Sequence, residues 1–336
     1  MSLLGFLLIG GYDGIPLGEL KSLFNSSGFS YNIINVYDRI VIVESDEGLI
    51  DYVIKRASMT HLGGLVIFTS KPVFHEISEG LKNVNLSLPK GSTFSVRVKR
   101  VNVPKSYVDV SGLERLLGSI IVSKGLRVNL DNPMFKFVGL FSKDVFVFLL
   151  EKESVNRGAF IMRRPSNRPF FHPSAMETWL ARSLVNLVES RENDIVLDPF
   201  CGTGGLLIEG GLINIRMIGI DISWEMCKGA LRNIRFYGLW NVDIIRGDAA
   251  FIPLRYFSRI VTDPPYGKDA STMGRTHDEL IRLLLKQCYN VHKIVYGSFK
   301  GSGVENIEKA LGFMCENSFE VKIHRSLTRN IRVISR

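Results

Sequence analysis

Cysteine is scarce. The 336 residues hold four, Cys201, Cys227, Cys288 and Cys315, and no pair has the C-x-x-C spacing. Neither a disulfide framework nor a zinc knuckle can be built from them, so the chain is expected to bind no metal and to suit a reducing cytosol. Long apolar runs are missing too. The opening run, residues 3–11, is too short to span a bilayer and lacks a basic stretch before it, so it reads as a first strand of a soluble intracellular protein. Repeats and low-complexity tracts are absent. Acids are in deficit: the formal net charge is +9 and the pI about 9.4, which points to a polyanionic partner. With 46% hydrophobic residues, the chain can fill the cores of two or three domains.

The charge is unevenly spread. Residues 1–80 carry a net −4, whereas residues 81–130 carry nine basic side chains against Asp109 and Glu114, a net +7. Residues 3–9 and 31–43 read as strands, 16–24 and 46–58 as helices, a small α+β unit. In residues 93–100 Phe94, Val96 and Val98 alternate with Ser95, Arg97 and Lys99. Such a strand buries one side and turns a cationic face to phosphates, or simply guards a solvated edge. Residues 154–169 contain Arg157, Arg163, Arg164 and Arg168, no acid between them, and several helix-discouraging residues. This section is expected to be an irregular basic connection, and residues 173–189 a helix leading onward.

The chemistry lies further on. Residues 194–198 read as a buried strand ending in Asp198, followed by a turn with Gly202, Gly204 and Gly205 that lets backbone pass close to a ligand. Asp198 would lie near a ligand amine. Residues 217–221 form a second strand ending in Asp221, suited to ribose hydroxyls, and residues 242–248 a third ending in Asp248, suited to an adenine amine. Each feature alone is ordinary: glycine turns connect strands to helices, and acids after strands cap helices. Four in order at strand ends are not. A dinucleotide fits less well, because Gly202-Thr203-Gly204-Gly205 lacks the G-x-G-x-x-G spacing.

After a fourth strand ending at Val261 comes Thr262-Asp263-Pro264-Pro265-Tyr266-Gly267. Asp263 and the Pro264 carbonyl can both accept hydrogen bonds from an exocyclic NH2. The prolines stiffen the backbone that aims them, and Tyr266 offers a stacking face. An aromatic amine is a poor nucleophile, and two acceptors on its hydrogens favour the pyramidal nitrogen that can attack. The implied chemistry is methyl transfer to a base nitrogen. Residues 267–277 form a polar loop that could act as a lid, with Lys268 and Arg275 available to phosphates. His277 is expected to take no part in the reaction.

Asp198-Pro199-Phe200-Cys201-Gly202-Thr203-Gly204, Gly219-Ile220-Asp221, Gly247-Asp248-Ala249 and Asp263-Pro264-Pro265-Tyr266-Gly267 resemble the S-adenosylmethionine-dependent amino-group methyltransferases. More narrowly, from about residue 163 onward the chain resembles the archaeal and eukaryotic enzymes that methylate guanine N2 at position 10 of tRNA. His172-Pro173-Ser174-Ala175-Met176 and residues 180–186 share in the likeness; the bulky Glu177-Thr178-Trp179 departs from it. The resemblance implies a class I, Rossmann-like α/β methyltransferase sheet closed by a hairpin. It implies catalytic Asp263, Pro264, Pro265 and Tyr266. It implies cofactor contacts from Asp198, Phe200, Gly202, Gly204, Asp221, Ile222, Asp248, Ala249, His172 and Pro173.

Residues 94–100, 113–121, 127–133 and 145–150 resemble a THUMP domain, an RNA-binding module of tRNA-modifying enzymes. With it come expected RNA contacts from Arg97, Lys99, Arg100, Lys124, Arg127, Arg163 and Arg164. The expected organisation is a ferredoxin-like unit over residues 1–58, a THUMP-like domain over 59–153, a linker over 154–171 and the methyltransferase over 172–336. The expected partner is tRNA, the expected state a cytoplasmic monomer. Three readings stay open beside it: guanine N2 at tRNA position 6, an amino-methyltransferase of rRNA or DNA, and a tRNA-binding protein with an inactive methyltransferase domain.

Overall fold

The structure, a computed structural model, describes residues 1–191, 194–266, 272–324 and 327–336. It divides into two compact units.

The first unit comprises Met1–Gly10, Gly28–Ile54 and Thr60–Val155. Runs rich in β-branched and aromatic residues give it β1 (Ser2–Leu8), β2 (Tyr31–Tyr37), β3 (Ile40–Ser45), β4 (Thr60–Ser70), β5 (Thr93–Arg100), β6 (Arg127–Val128), β7 (Phe135–Phe141) and β8 (Phe146–Ser154). They form one sheet in the order β2-β3-β1-β4-β8-β7-β5-β6. Only β5, with its neighbours β6 and β7, pairs in parallel. A boundary at residue 58 would therefore run through this sheet, because β4 bonds directly to β1. The helices are α2 (Gly48–Arg56), whose last turn falls in the other unit, α3 (Phe74–Asn83) and α4 (Val110–Ser123). Asp109 starts α4 by accepting the Gly112 amide at 3.0 Å. Leu113, Leu117 and Ile121 of α4 pack with Phe94, Val96 and Val98 of β5 in one apolar core.

The second unit comprises Gly11–Ser27, Lys55–Met59 and Asn156–Arg336. It takes α1 (Ile15–Ser27) from the start of the chain because of one buried acid. Glu19, fully buried, accepts the amides of Ser58 (3.0 Å) and Met59 (2.7 Å), the Ser58 hydroxyl (2.9 Å) and the Asn186 amide group (2.8 Å). Burial pushes this carboxyl's pKa up; the four donors oppose the shift.

The connection expected to be irregular contains a helix, α5 (Arg157–Met162), started by the Asn156 side chain on the Ala159 amide at 3.1 Å. A cap next to a short apolar run outweighed its loop-like composition. The helix expected over 173–189 is shorter, α6 (Thr178–Leu187), because residues 172–175 close a turn through the Ala175 amide and His172 carbonyl.

Strand and helix then alternate: β9 (Ile195–Asp198), α7 (Gly205–Gly211), β10 (Arg216–Asp221), α8 (Trp224–Phe236), β11 (Val242–Arg246), β12 (Arg259–Thr262), α9 (His277–Lys286), β13 (Lys293–Phe299) and α10 (Val304–Ala310). A hairpin of β14 (Met314–His324) and β15 (Leu327–Ser335) ends the chain. The sheet order is β11-β10-β9-β12-β13-β15-β14, parallel except where β15 meets β13 and β14. Strand order reverses between β9 and β12, and such a switch point leaves a crevice beyond the strands' carboxyl ends. Among the described residues no helix is long and apolar enough to cross a membrane.

Candidate active site

The ends of β9, β10 and β12 deliver Asp198, Asp221 and the Thr262-Asp263 step to that crevice. Asp198 is 1% exposed, and accepts the Thr262 hydroxyl at 2.7 Å and the Phe200 amide at 3.3 Å. Burial pushes its pKa up to about 7, against the pull of those hydrogen bonds, and the charges of Asp221 and Asp263 push the same way. Asp221 accepts the amides of Gly202 (2.9 Å) and Ser223 (2.8 Å), one on each oxygen. This locks the glycine turn to the second strand. Gly202 and Gly204 have φ of 49° and 81°, and nothing lies within 4 Å of where a Gly202 β-carbon would stand. Ile222 is partly exposed, Phe200 packs against the sheet core and Ala249 is buried.

Two expected cofactor contacts are otherwise engaged. Asp248 accepts Arg275 Nη1 on both oxygens at 2.8 Å, so Arg275 serves an acid. His172 bonds the Ser174 hydroxyl at 2.7 Å, and Pro173 is exposed. Trp179, the bulky departure, stacks on Phe160 at 4.4 Å with the Arg157 guanidinium over its ring, and so acts in packing.

At the end of β12, the Tyr266 hydroxyl donates to Asp263 Oδ1, and Arg329 of β15 donates from Nη2 to Asp263 Oδ2 at 2.7 Å and from Nε to the Tyr266 oxygen at 2.9 Å. The three groups close a ring. Opposite stands Gly297 of β13, where a β-carbon would strike both the carboxylate and the hydroxyl. Burial raises the Asp263 pKa, and Arg329 is the largest opposing influence. His277, 4% exposed, donates from Nδ1 to the Pro265 carbonyl at 3.2 Å, and burial lowers its pKa. Its ring and that of Phe299 flank Tyr266, centroids 5.4 and 6.3 Å away. The expected stacking face of Tyr266 is thus set within an aromatic cluster. A carboxylate offers about four lone-pair positions, and among the described residues only two of those on Asp263 are taken. Gly267 and Lys268, in the expected lid, lie outside the described residues.

Sequence reasoning missed Arg329, Gly297 and the fastening by His277. Arg329 stands on β15, far in sequence from the Asp263 it meets. The expected RNA contacts divide. Arg97, Lys99, Arg100, Arg127 and Arg164 are exposed. The Lys124 ammonium instead donates to the carbonyls of Lys82 (2.8 Å) and Val84 (2.7 Å). Arg163 grips Glu209 of α7 from Nε (2.9 Å) and Nη2 (3.1 Å), beside Arg182 on the same acid.

A seven-stranded sheet of this order, with a glycine turn after its first strand, an acid after its second and Asp-Pro-Pro-Tyr after its fourth, defines an amino-group methyltransferase of class I. Residues 165–298 match the RMKL-like methyltransferase-domain family, UPF0020. The chain is 32% identical over 327 residues to a tRNA (guanine(10)-N2)-dimethyltransferase of Methanothermobacter thermautotrophicus, covering 96% of each chain. It is likewise 32% identical over 359 residues to that of Methanocaldococcus jannaschii, covering 98% of this chain and 99% of the relative. A possible methylase of Clostridium difficile shares the fold, with a TM-score of 0.57 at 16% identity, covering 99% of this chain and 98% of that one. The chain belongs to the tRNA (guanine-N2)-methyltransferase family.

Proposed function

We propose that this protein methylates the exocyclic N2 of a guanosine in tRNA, at position 10 and through to the dimethylated base, with S-adenosylmethionine as donor. The Asp263–Pro264 corner at the switch point carries the reading, because it places a carboxylate and a rigid carbonyl beside the cofactor turn. The donor fits this chain: the open space over Gly202, the lone pairs left on Asp221 and the buried Asp198 match its polar groups. When bound, it supplies an electrophilic methyl group on a positively charged sulfur. Asp263 and the Pro264 carbonyl accept the N2 hydrogens and so turn the nitrogen lone pair outward. Gains come from orientation and desolvation rather than a covalent intermediate. The proton lost from N2 passes to Asp263 or to water. The base is splayed from its helix to reach the corner.

The basic section of the first unit is proposed to grip the tRNA in the manner of a THUMP domain, in the cytoplasm. The reading is tested by incubating the purified protein with labelled S-adenosylmethionine and unmodified tRNA transcripts and identifying the nucleoside by mass spectrometry. N2-methylguanosine at position 10 is expected. Label on adenosine or cytidine, or tRNA binding without transfer, rejects the proposal.

A further inference from the structure

The proposed reaction uses Asp263 but leaves Arg329 unexplained, although Arg329 is 7% exposed and its guanidinium holds both ends of the catalytic segment. Its geometry fixes where protons sit. Arg329 Nε can only donate, so the Tyr266 oxygen accepts from it, and the Tyr266 hydroxyl must turn its own hydrogen to Asp263. Each carboxylate oxygen therefore receives one donor, and Gly297 lets the ring close from behind. Among the described residues nothing else bonds the carboxylate, so both remaining acceptor positions are left for a base.

The surrounding charges show what Arg329 must counter. Burial raises the proton affinity of both Asp198 on β9 and Asp263, and the charge of Asp263 adds to the rise at Asp198. Tyr266 is phenolic, its own pKa pushed upward by burial. His277 on α9 is driven toward its neutral form and spends its Nδ1 hydrogen on the Pro265 carbonyl. Among the described residues, Arg329 is thus the one full positive charge in contact with Asp263.

We propose that Arg329 is a positioning residue that fixes Asp263 as a doubly anchored carboxylate, so that the corner accepts the adjacent N1–H and N2–H of guanine and repels bases whose ring nitrogen beside the amine is itself an acceptor. This rests on the guanine-N2 reading above. Adenine sets N1, and cytosine N3, as an acceptor next to the amine; against a carboxylate each meets a lone pair where guanine brings a hydrogen. Discrimination by such mismatch exceeds what shape alone supplies.

The test uses the full chain, unmodified tRNA transcript and S-adenosylmethionine. Single-turnover rates are read across pH for wild type, R329Q and R329K, beside melting temperature and cofactor affinity. R329Q is expected to lower the rate at neutral pH on the order of a hundredfold at near-wild-type cofactor affinity. Its acidic limb should move up by about one pH unit or more, since the neutral acid is no longer opposed. R329K, which keeps the charge and loses the fork, should recover about tenfold of that loss and bring the limb back. An R329Q rate close to wild type, or an unmoved limb with no rescue by R329K, overturns the proposal. Should R329Q fail to fold, R329K decides: an impaired rate at intact cofactor affinity supports the role, and a wild-type rate rejects it. Wild-type protein that modifies a base other than guanine would sink the functional reading itself. Wild type that makes N2-methylguanosine, with R329Q indifferent, sinks this inference alone.

Discussion

At the scale of single residues, two acids of one sheet edge, Asp198 buried and Asp263 partly so, do different work. Asp263 is held by Tyr266 and Arg329 and stands at the corner proposed for the base. Asp263→Asn keeps the shape but can set an amide donor against the guanine N1–H. Methyl transfer is expected to fall by roughly 10² to 10³-fold, the scale of losing one preorganised electrostatic partner. Filter binding should show tRNA affinity within about twofold, since phosphate contacts supply most of it. Asp198 is the acid of the cofactor side. Its folded pKa, about 7, lies above the ordinary aspartate value, so the stability it lends is fully present at low pH and is lost as pH rises through 7. Asp198→Asn retains an acceptor for Thr262 and Phe200 without the buried charge. Thermal melts should show the variant's advantage over wild type growing as pH rises from about 4 and levelling off above 7, so that it is a few degrees larger at pH 8.5 than at pH 5. An equal advantage at both values would mean the carboxyl stays ionised throughout.

At the scale of elements, the second unit depends on polar pins as well as its apolar core. Glu19 of α1 satisfies four donors from residues 58, 59 and 186. Glu19→Ala leaves those donors buried without a partner, at about 1–3 kcal/mol for each that cannot relax toward water. Denaturant unfolding is expected to show a net loss of about 2–4 kcal/mol, less than the sum because neighbouring groups rearrange. A midpoint unchanged from wild type would refute the pin. Such a contact was not legible in the sequence, where Glu19 looks like any acid on an amphipathic helix. β15 works similarly: Arg329 takes the Asp263–Tyr266 pair, and Arg332 holds Glu308, which also accepts the Tyr296 hydroxyl. Both arginines are distant in sequence from their acids, so no spacing announced either pair. The acid-ended strands β9, β10 and β12 were legible because their chemistry is local, a short apolar run followed by its functional residue. β4 was not. Glycine is depleted from strands, yet a β-carbon at Gly64 would collide with the Leu150 carbonyl, so the glycine serves a close strand approach.

At the scale of the whole molecule, the question is which charges meet RNA. Net charge alone points to a polyanion but names no surface, and the sequence offered seven cations for the task. Two of them are spent inside the protein: Arg163 is bound to Glu209, and Lys124 closes on the carbonyls of Lys82 and Val84. Their sequence neighbourhood, basic and polar, gave no hint of either partner. Arg97 and Lys99 differ, because β5 turns them outward while Phe94, Val96 and Val98 enter the core. They can be reversed without disturbing packing, which makes them the clean probe. The double variant Arg97→Glu, Lys99→Glu is expected to weaken tRNA binding at low salt. The slope of log affinity against log salt should shrink by about 1.4–1.8, since each of the two lost phosphate contacts accounts for roughly 0.7–0.9 of it. Reversing Arg163, by contrast, breaks a largely buried pair and should cost about 3–5 kcal/mol of stability while leaving the salt slope of the folded fraction unchanged. Should the β5 variant keep the wild-type slope, the RNA face belongs elsewhere, and the exposed Arg100, Arg127 and Arg164 become the cations to reverse.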